Sequence, residues 1–146
     1  MKLSLMTDPK AYESPNSYSN SPNSSDATQR ILVVDDNRDS AETLSMLLEL
    51  MGNEISVAYD GEQAVAMAKE IKPDVVLLDV GLPKLNGYDV ARMIRQESWG
   101  SKPMLVAITG WGQTEDKELS REAGFDHHLV KPVDHDYLLT LIQRKS

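Results

Sequence analysis

The sequence predicts an α/β fold, a parallel sheet covered by helices on both faces. Three observations carry that prediction. Between residues 30 and 145, short apolar and β-branched runs recur five times, each followed by an amphipathic stretch. The runs are apolar throughout rather than alternating, the mark of strands buried on both faces. Gly, Pro, Asn and Asp punctuate the two kinds of segment. Strands joined through helices run in one direction with right-handed crossovers, which gives a doubly wound (βα)5 sheet of five strands.

The elements follow in order. The first strand is read in ILVVDD (31–36), an apolar run ending in two acids. A helical period then places Ala41, Leu44, Leu47, Leu48 and Met51 on one face, and Gly52 stops it. ISVAY (55–59) is the second strand. Asp60-Gly61 turns the chain into a helix carrying Ala64, Met67, Ala68 and Ile71 inward, which Pro73 ends. DVVLLD (74–79) is the third strand. The turn pair Asn86-Gly87 starts a helix with Val90, Met93 and Ile94 inward. MLVAIT (104–109) is the fourth strand, and a polar helix over 114–123 is closed by Gly124. HHLVK (127–131) is the fifth strand. Asp134 caps a last helix with Leu138, Leu141 and Ile142 inward and Arg144 and Lys145 near its end.

Residues 1–29 read differently. SPNSYSNSPNSSD offers too little apolar surface to offset the entropy of ordering it, so a disordered tail or linker is expected before a domain spanning 30–146. The chain has 146 residues, a net charge of −8 and no cysteine. The charge argues against nucleic-acid or anionic-membrane binding by the whole surface. The missing thiols exclude a disulfide framework, a thiolate metal site and a Cys nucleophile. No run approaches the roughly 18 apolar residues of a membrane span, and the first residues lack a signal-peptide pattern, so a cytoplasmic location is expected.

Parallel strands put their C-terminal ends on one edge, where ligands of such sheets bind. Asp35 and Asp36 end the first strand, Asp79 the third, Thr109 the fourth and Lys131 the fifth. Singly, each has a plain reading: an acid can cap a helix, and a lysine at a strand end can be a solvated charge. Together they place three carboxylates, a hydroxyl and an ammonium around one pocket. Clustered carboxylates repel unless a cation intervenes, and an oxygen-only donor set favours Mg²⁺. Asp79 can then act as a nucleophile toward phosphorus. Phosphoryl transfer needs positioning and cations rather than a base, and Lys131 and Thr109 supply a clamp and a donor. Gly81 removes a side chain beside the acid, and Pro83 with Asn86-Gly87 shapes the loop. The pair His127-His128 does not read as a metal site, because neighbouring strand residues face opposite sides of a sheet. Trp111, between two glycines, reads as a loop residue.

In ILVVDDN, VVLLDVGLP, NGYD, AITG and HHLVKPV, taken in order, the chain resembles the receiver domain of two-component response regulators, of the chemotaxis-regulator type, over residues 30 to about 145. The resemblance implies a flavodoxin-like sheet of strand order 2-1-3-4-5. It implies that Asp79 accepts a phosphoryl group from a phosphohistidine on a sensor histidine kinase or a histidine phosphotransfer protein. Asp35, Asp36, Asp79 and the Gly81 backbone carbonyl would hold Mg²⁺. Thr109 and Lys131 would bind the phosphoryl group, and the Lys131–Pro132 bond would be cis. His128 occupies the family's switch position, usually aromatic, where it brings a titratable ring instead. The helix over 114–123, with few apolar anchors, would be the element that moves, and the surface of the fifth strand and last helix the partner face, with a phosphorylation-linked homodimer as one arrangement. Small residues at Gly81 and Gly110 would leave the acyl phosphate open to water and short-lived.

The protein is thus expected to catalyse only its own phosphorylation and dephosphorylation. It is read either as a stand-alone regulator or as a receiver module of a hybrid histidine kinase, without a DNA-binding output domain. Two enzyme-like rivals fit worse. A dehalogenase-type phosphatase wants an acid two residues after its nucleophile, where this chain has Gly81. A flavin carrier wants a hydroxyl- and Gly-rich phosphate loop where this chain has DDNRDS. A receiver that folds without signalling is the third rival, and the presence of all five pocket residues speaks against it.

Overall fold

A computed structural model describes residues 28–82, 84–110 and 117–145. Five strands, β1 (Arg30–Val34), β2 (Glu54–Ala58), β3 (Val75–Asp79), β4 (Met104–Thr109) and β5 (His127–Val130), alternate with five helices, α1 (Arg38–Leu50), α2 (Gly61–Ile71), α3 (Gly87–Arg95), α4 (Lys117–Ala123) and α5 (His135–Lys145). The strands form one sheet in the order β2-β1-β3-β4-β5, and all four neighbouring pairs are parallel. The expected flavodoxin-like topology is the one the chain adopts.

The period-2 alternation of strand side chains divides the core into two layers. Leu32, Val34, Val76, Leu78, Leu105 and Ala107 face α2, α3 and α4, where Ala64, Ala68, Val90, Ile94 and Ala123 meet them. Ile31, Val33, Val75, Leu77, Val106 and Ile108 face α1 and α5, where Ala41, Leu48, Leu138, Leu141 and Ile142 close the other side. Every residue of β3 is buried, which explains its unbroken apolar run up to Asp79.

The helices start where polar caps tell them to. Asn37, Asp60 and Asn86 each accept, through their side chains, the amide three residues on, and Asp134 does the same for Tyr137. Two side chains expected inward are not. Met51 is 45% exposed and Met93 39% exposed. At 3.6 residues per turn both lie about a quarter-turn from the buried stripe, and Met51 is already the C-cap of α1. The helix expected over 114–123 is described from Lys117; its first residues, like Trp111 and Pro83, lie outside the described residues.

The sheet edge away from the acids is held by side chains. Arg95, at the end of α3, donates to the carbonyls of Gly100, Pro103 and Gly124 and to the Asp126 carboxylate at 2.7–2.9 Å. Asp126 in turn accepts the Leu105 amide at 2.8 Å. One guanidinium thereby joins the ends of α3 and α4 to the starts of β4 and β5. Gln29, read from the sequence as the last residue of the tail, is buried and donates Nε2 to the Ile142 carbonyl at 2.7 Å. The rest of the tail, residues 1–27, lies outside the described residues.

Candidate functional site

The C-terminal edge of the sheet gathers the charged residues. Asp35 follows β1 and is buried, Asp36 is exposed, and Asp79 ends β3 at 7% exposure. Carboxylate oxygens of all three lie within 4.8 Å of one another. Lys131, just past β5, projects between two of them: its Nζ is 3.3 Å from Asp35 Oδ2 and 3.3 Å from Asp79 Oδ2. The other oxygen of each acid is held by backbone. Asp35 Oδ1 accepts the Asn37 amide at 3.0 Å, and Asp79 Oδ1 accepts the Gly81 amide at 2.8 Å.

The electrostatics follow from that geometry. Burial pushes the Asp35 carboxyl above its ordinary value; the Asn37 amide and the Lys131 charge pull it down and the Asp79 charge pushes it up, with a net rise. Burial pulls the Lys131 ammonium down, but the charges and hydrogen bonds of Asp79 and Asp35 outweigh it, and its pKa ends raised.

The loop that carries Asp79 depends on glycine. A Cβ on Gly87 would lie 2.5 Å from Val80 Cα and 2.8 Å from the Asp79 carbonyl, so only glycine lets α3 begin against the end of β3. The Gly87 amide also donates to the Val80 carbonyl at 3.1 Å.

Thr109 and His128 stand differently from the acids. Ile108 is the register partner of Asp79, so Thr109 lies one residue beyond it on the neighbouring strand. The residue is 1% exposed, and among the described residues Oγ1 donates a single long bond, 3.4 Å, to the Leu129 carbonyl. His128 pairs in register with Ala107 and turns under α4, where its Nδ1 is 3.0 Å from Ser120 Oγ. Thus Asp35, Asp36, Asp79 and Lys131 converge, Gly81 joins through its amide, Thr109 borders the group, and His128 lies away from it. The Lys131–Pro132 bond is cis, as the resemblance implies. Sequence reasoning did not single out Asn37 and Ser120. The Asn37 role was legible in its place after two acids and three residues before Ser40, whose amide it accepts. The Ser120 role had no local signal.

The donor chemistry fits a hard divalent cation: three carboxylates, two held by backbone amides, with no nitrogen or sulfur donor among them.

Comparison with known proteins agrees with this geometry. Residues 31–143 match the family model described as response regulator receiver domain. The DNA-binding response regulator MtrA of Mycobacterium leprae is 40% identical over 117 residues, 80% of this chain and 51% of that protein. The chain therefore spans about half the length of that relative. Protein PilH of Pseudomonas aeruginosa is 36% identical over 113 residues, 77% of this chain and 93% of PilH. Among solved structures, chemotaxis protein CheY4 of Vibrio cholerae superposes with a TM-score of 0.75 at 29% identity, covering 82% of this chain and all of CheY4. The receiver domain of sensor histidine kinase PA1611 of Pseudomonas aeruginosa superposes with a TM-score of 0.73 at 33% identity, over 81% of this chain and 97% of that one, and holds a magnesium ion in its active-site cleft. With this sheet, this edge and these relatives, the chain belongs to the response regulator receiver domain family of two-component systems.

Proposed function

We propose that Asp79 is the phosphoacceptor of a two-component phosphorelay. The observation that carries the reading is the convergence of Asp35, Asp36 and Asp79 around the Lys131 ammonium at the end of a buried strand. An Asp79 oxygen attacks phosphorus, the P–N bond of a partner's phosphohistidine breaks, and the imidazole leaves with its electron pair. The product is an acyl phosphate on Asp79. Asp35, Asp36 and Asp79, with the Gly81 carbonyl, would hold Mg²⁺, which when bound neutralises charge on the phosphoryl oxygens.

The chain's own residues do the rest. The Gly81 amide fixes one Asp79 oxygen and so orients the other. Lys131, already drawn to Asp79, pairs with a phosphoryl oxygen. Thr109, whose hydroxyl has only a long bond to give up, donates to another, and His128 passes the change outward. The donor is a sensor histidine kinase or histidine phosphotransfer protein. The readout face is α4, β5 and α5, where Val130 and Tyr137 are exposed, and a phosphorylation-linked homodimer would use it. The domain acts as a phosphoacceptor rather than as an enzyme on other substrates. With a chain net charge of −8, this domain is not itself the nucleic-acid contact. The proposed site of action is the cytoplasm. Among the described residues no helix is long and apolar enough to cross a membrane.

The test is intact-mass measurement after incubation with Mg²⁺ and a small phosphodonor. One added phosphoryl group, absent in Asp79→Asn and without Mg²⁺, is expected. No adduct on folded protein, together with no stable beryllofluoride complex, would reject the reading.

A further inference from the structure

Apolar side chains gather on the surface at the end of α1. Met46, Leu50 and Met51 are 63%, 83% and 45% exposed, and Leu47 beside them is half-buried. Met46 with Leu50, and Leu47 with Met51, are four residues apart, so the two pairs form neighbouring rows of one patch. A single exposed apolar residue is ordinary, whereas a contiguous group marks a contact surface. Acids stand around the patch. Glu42 and Glu49 are exposed, one turn before and one turn after Met46. The last turn of α1 holds no basic residue, so Glu49 lies against the negative end of the helix. An apolar group that also brings a cation suits both features.

The chain enters the domain at the same place. The Gln29 amide donates to Asn53 Oδ1 at 3.2 Å, and Asn53 Nδ2 donates to the Leu48 carbonyl at 3.1 Å, inside the last turn of α1. Residues 1–27 therefore join the domain beside the patch. Their one apolar cluster is MKLSLM (1–6), with Met1, Leu3, Leu5 and Met6 around Lys2. Twenty-one residues separate Met6 from Thr28. A flexible chain of that length spans about 25 Å, and a helix of 13 residues, as α1 is, measures about 20 Å, so the patch is within reach.

We propose that the segment MKLSLM docks on the end of α1, with Leu3 and Leu5 covering Met46, Leu47, Leu50 and Met51 and Lys2 answering the charge of Glu42 and Glu49. Tethering favours this occupant over a second copy of the chain, because a short linker holds its end at an effective concentration on the order of millimolar. The patch is also small for a stable dimer, which takes roughly 20–30 residues a side. This end of α1 points away from Asp35 and Asp36, which precede its first turn, so the docked segment leaves the acids open. A partner that needs this end of α1 has to displace the segment first.

The test is paramagnetic broadening in the full chain. Ser4→Cys gives a nitroxide one attachment point, because the chain has no cysteine. With ¹³C-methyl methionine, Met46 and Met51 should lose their signals while Met93, on α3, keeps its own. Adding Leu3→Asp and Leu5→Asp to the labelled chain should restore both signals. Leu50→Asp should restore Met46 and Met51 as well, and a side chain 83% exposed can change without disturbing the core. Absence of broadening overturns the docking. So does broadening that is equal with and without the two tail aspartates, since the tether alone then accounts for it. Mixing the nitroxide-bearing chain with a ¹³C-methyl chain that carries no nitroxide tests the other occupant. Broadening of Met46 and Met51 in that mixture identifies a second copy on the patch and overturns the intrachain docking.

Discussion

Asp35 and Asp79 are held alike from two sides of one ammonium. Each gives Oδ1 to the amide two residues further on, and each turns Oδ2 to Lys131 Nζ at 3.3 Å. The two strands thus present matched carboxylates whose free lone pairs point into a shared space. Lys131 compensates a repulsion that the fold itself creates.

Replacing that ammonium exposes the repulsion. Lys131→Met should destabilise the protein by about 1–3 kcal/mol, the worth of hydrogen bonds to charged groups, since its side chain is only partly exposed. Urea unfolding measures the loss. Millimolar Mg²⁺ should recover part of it, because the cation would take the place of the missing charge. A loss that Mg²⁺ leaves untouched would count against a cation site formed by these acids.

Asp35 gives a pH signature. Its pKa is higher folded than unfolded, so between the two values the native state binds more protons. Stability therefore falls as pH rises from the ordinary value of 3.8 through the raised folded value, and the penalty is fully present above it. Asp35→Asn should remove that fall and raise the melting temperature at neutral pH without Mg²⁺. Lys131, also raised, contributes stability that is complete below its ordinary 10.5 and lost as pH climbs through the folded value. Thermal melts of both proteins across pH test the two signs.

Gly87 carries a steric prediction. Gly87→Ala places a methyl against backbone atoms of Val80 and Asp79, which cannot swing aside. Overpacking of this kind costs about 1–3 kcal/mol. Because the strain falls on the peptide of Asp79, the yield of phosphoprotein from a small phosphodonor should drop more than the loss of folded protein explains.

Arg95→Ala removes a clamp without touching the acids. The Gly100, Pro103 and Gly124 carbonyls lose the guanidinium, and Asp126 keeps only the Leu105 amide of its two described donors. A cost of about 2–3 kcal/mol is expected by urea denaturation, in the range of a broken hydrogen-bond network. Phosphorylation of the remaining folded protein should be retained, while amide exchange at Gly124 should rise sharply.

Gly81 is exposed and bears no side chain over Asp79, the proposed acceptor. Gly81→Arg should shade the acyl phosphate from water and lengthen its life, read as slower loss of the added mass. An unchanged decay would show that water reaches Asp79 from another side.

Much of this was legible before the structure. The strand runs of β1, β3 and β4 are buried on both faces, so their apolar character left little choice of element, and parallel order then sent Asp35, Asp79 and Thr109 to one edge. Met51 and Met93 misled because an apolar residue is permitted outside the core, so hydrophobicity constrains burial in one direction only. Ser120 and Arg95 were hidden for another reason. Their partners, His128 and Gly124 with Asp126, are brought near by tertiary packing, and no local spacing announces it.

The Gln29 hydrogen bond to the Ile142 carbonyl has a consequence for how the domain can be joined to other things. It brings the entry of β1 and the last turn of α5 together at the edge of the sheet opposite Asp79. A tag, a fluorophore or a whole neighbouring module tethered at either place would hang below the sheet and leave the acid-lined mouth open. Attachment at those two places is therefore compatible with an uncovered Asp79 edge.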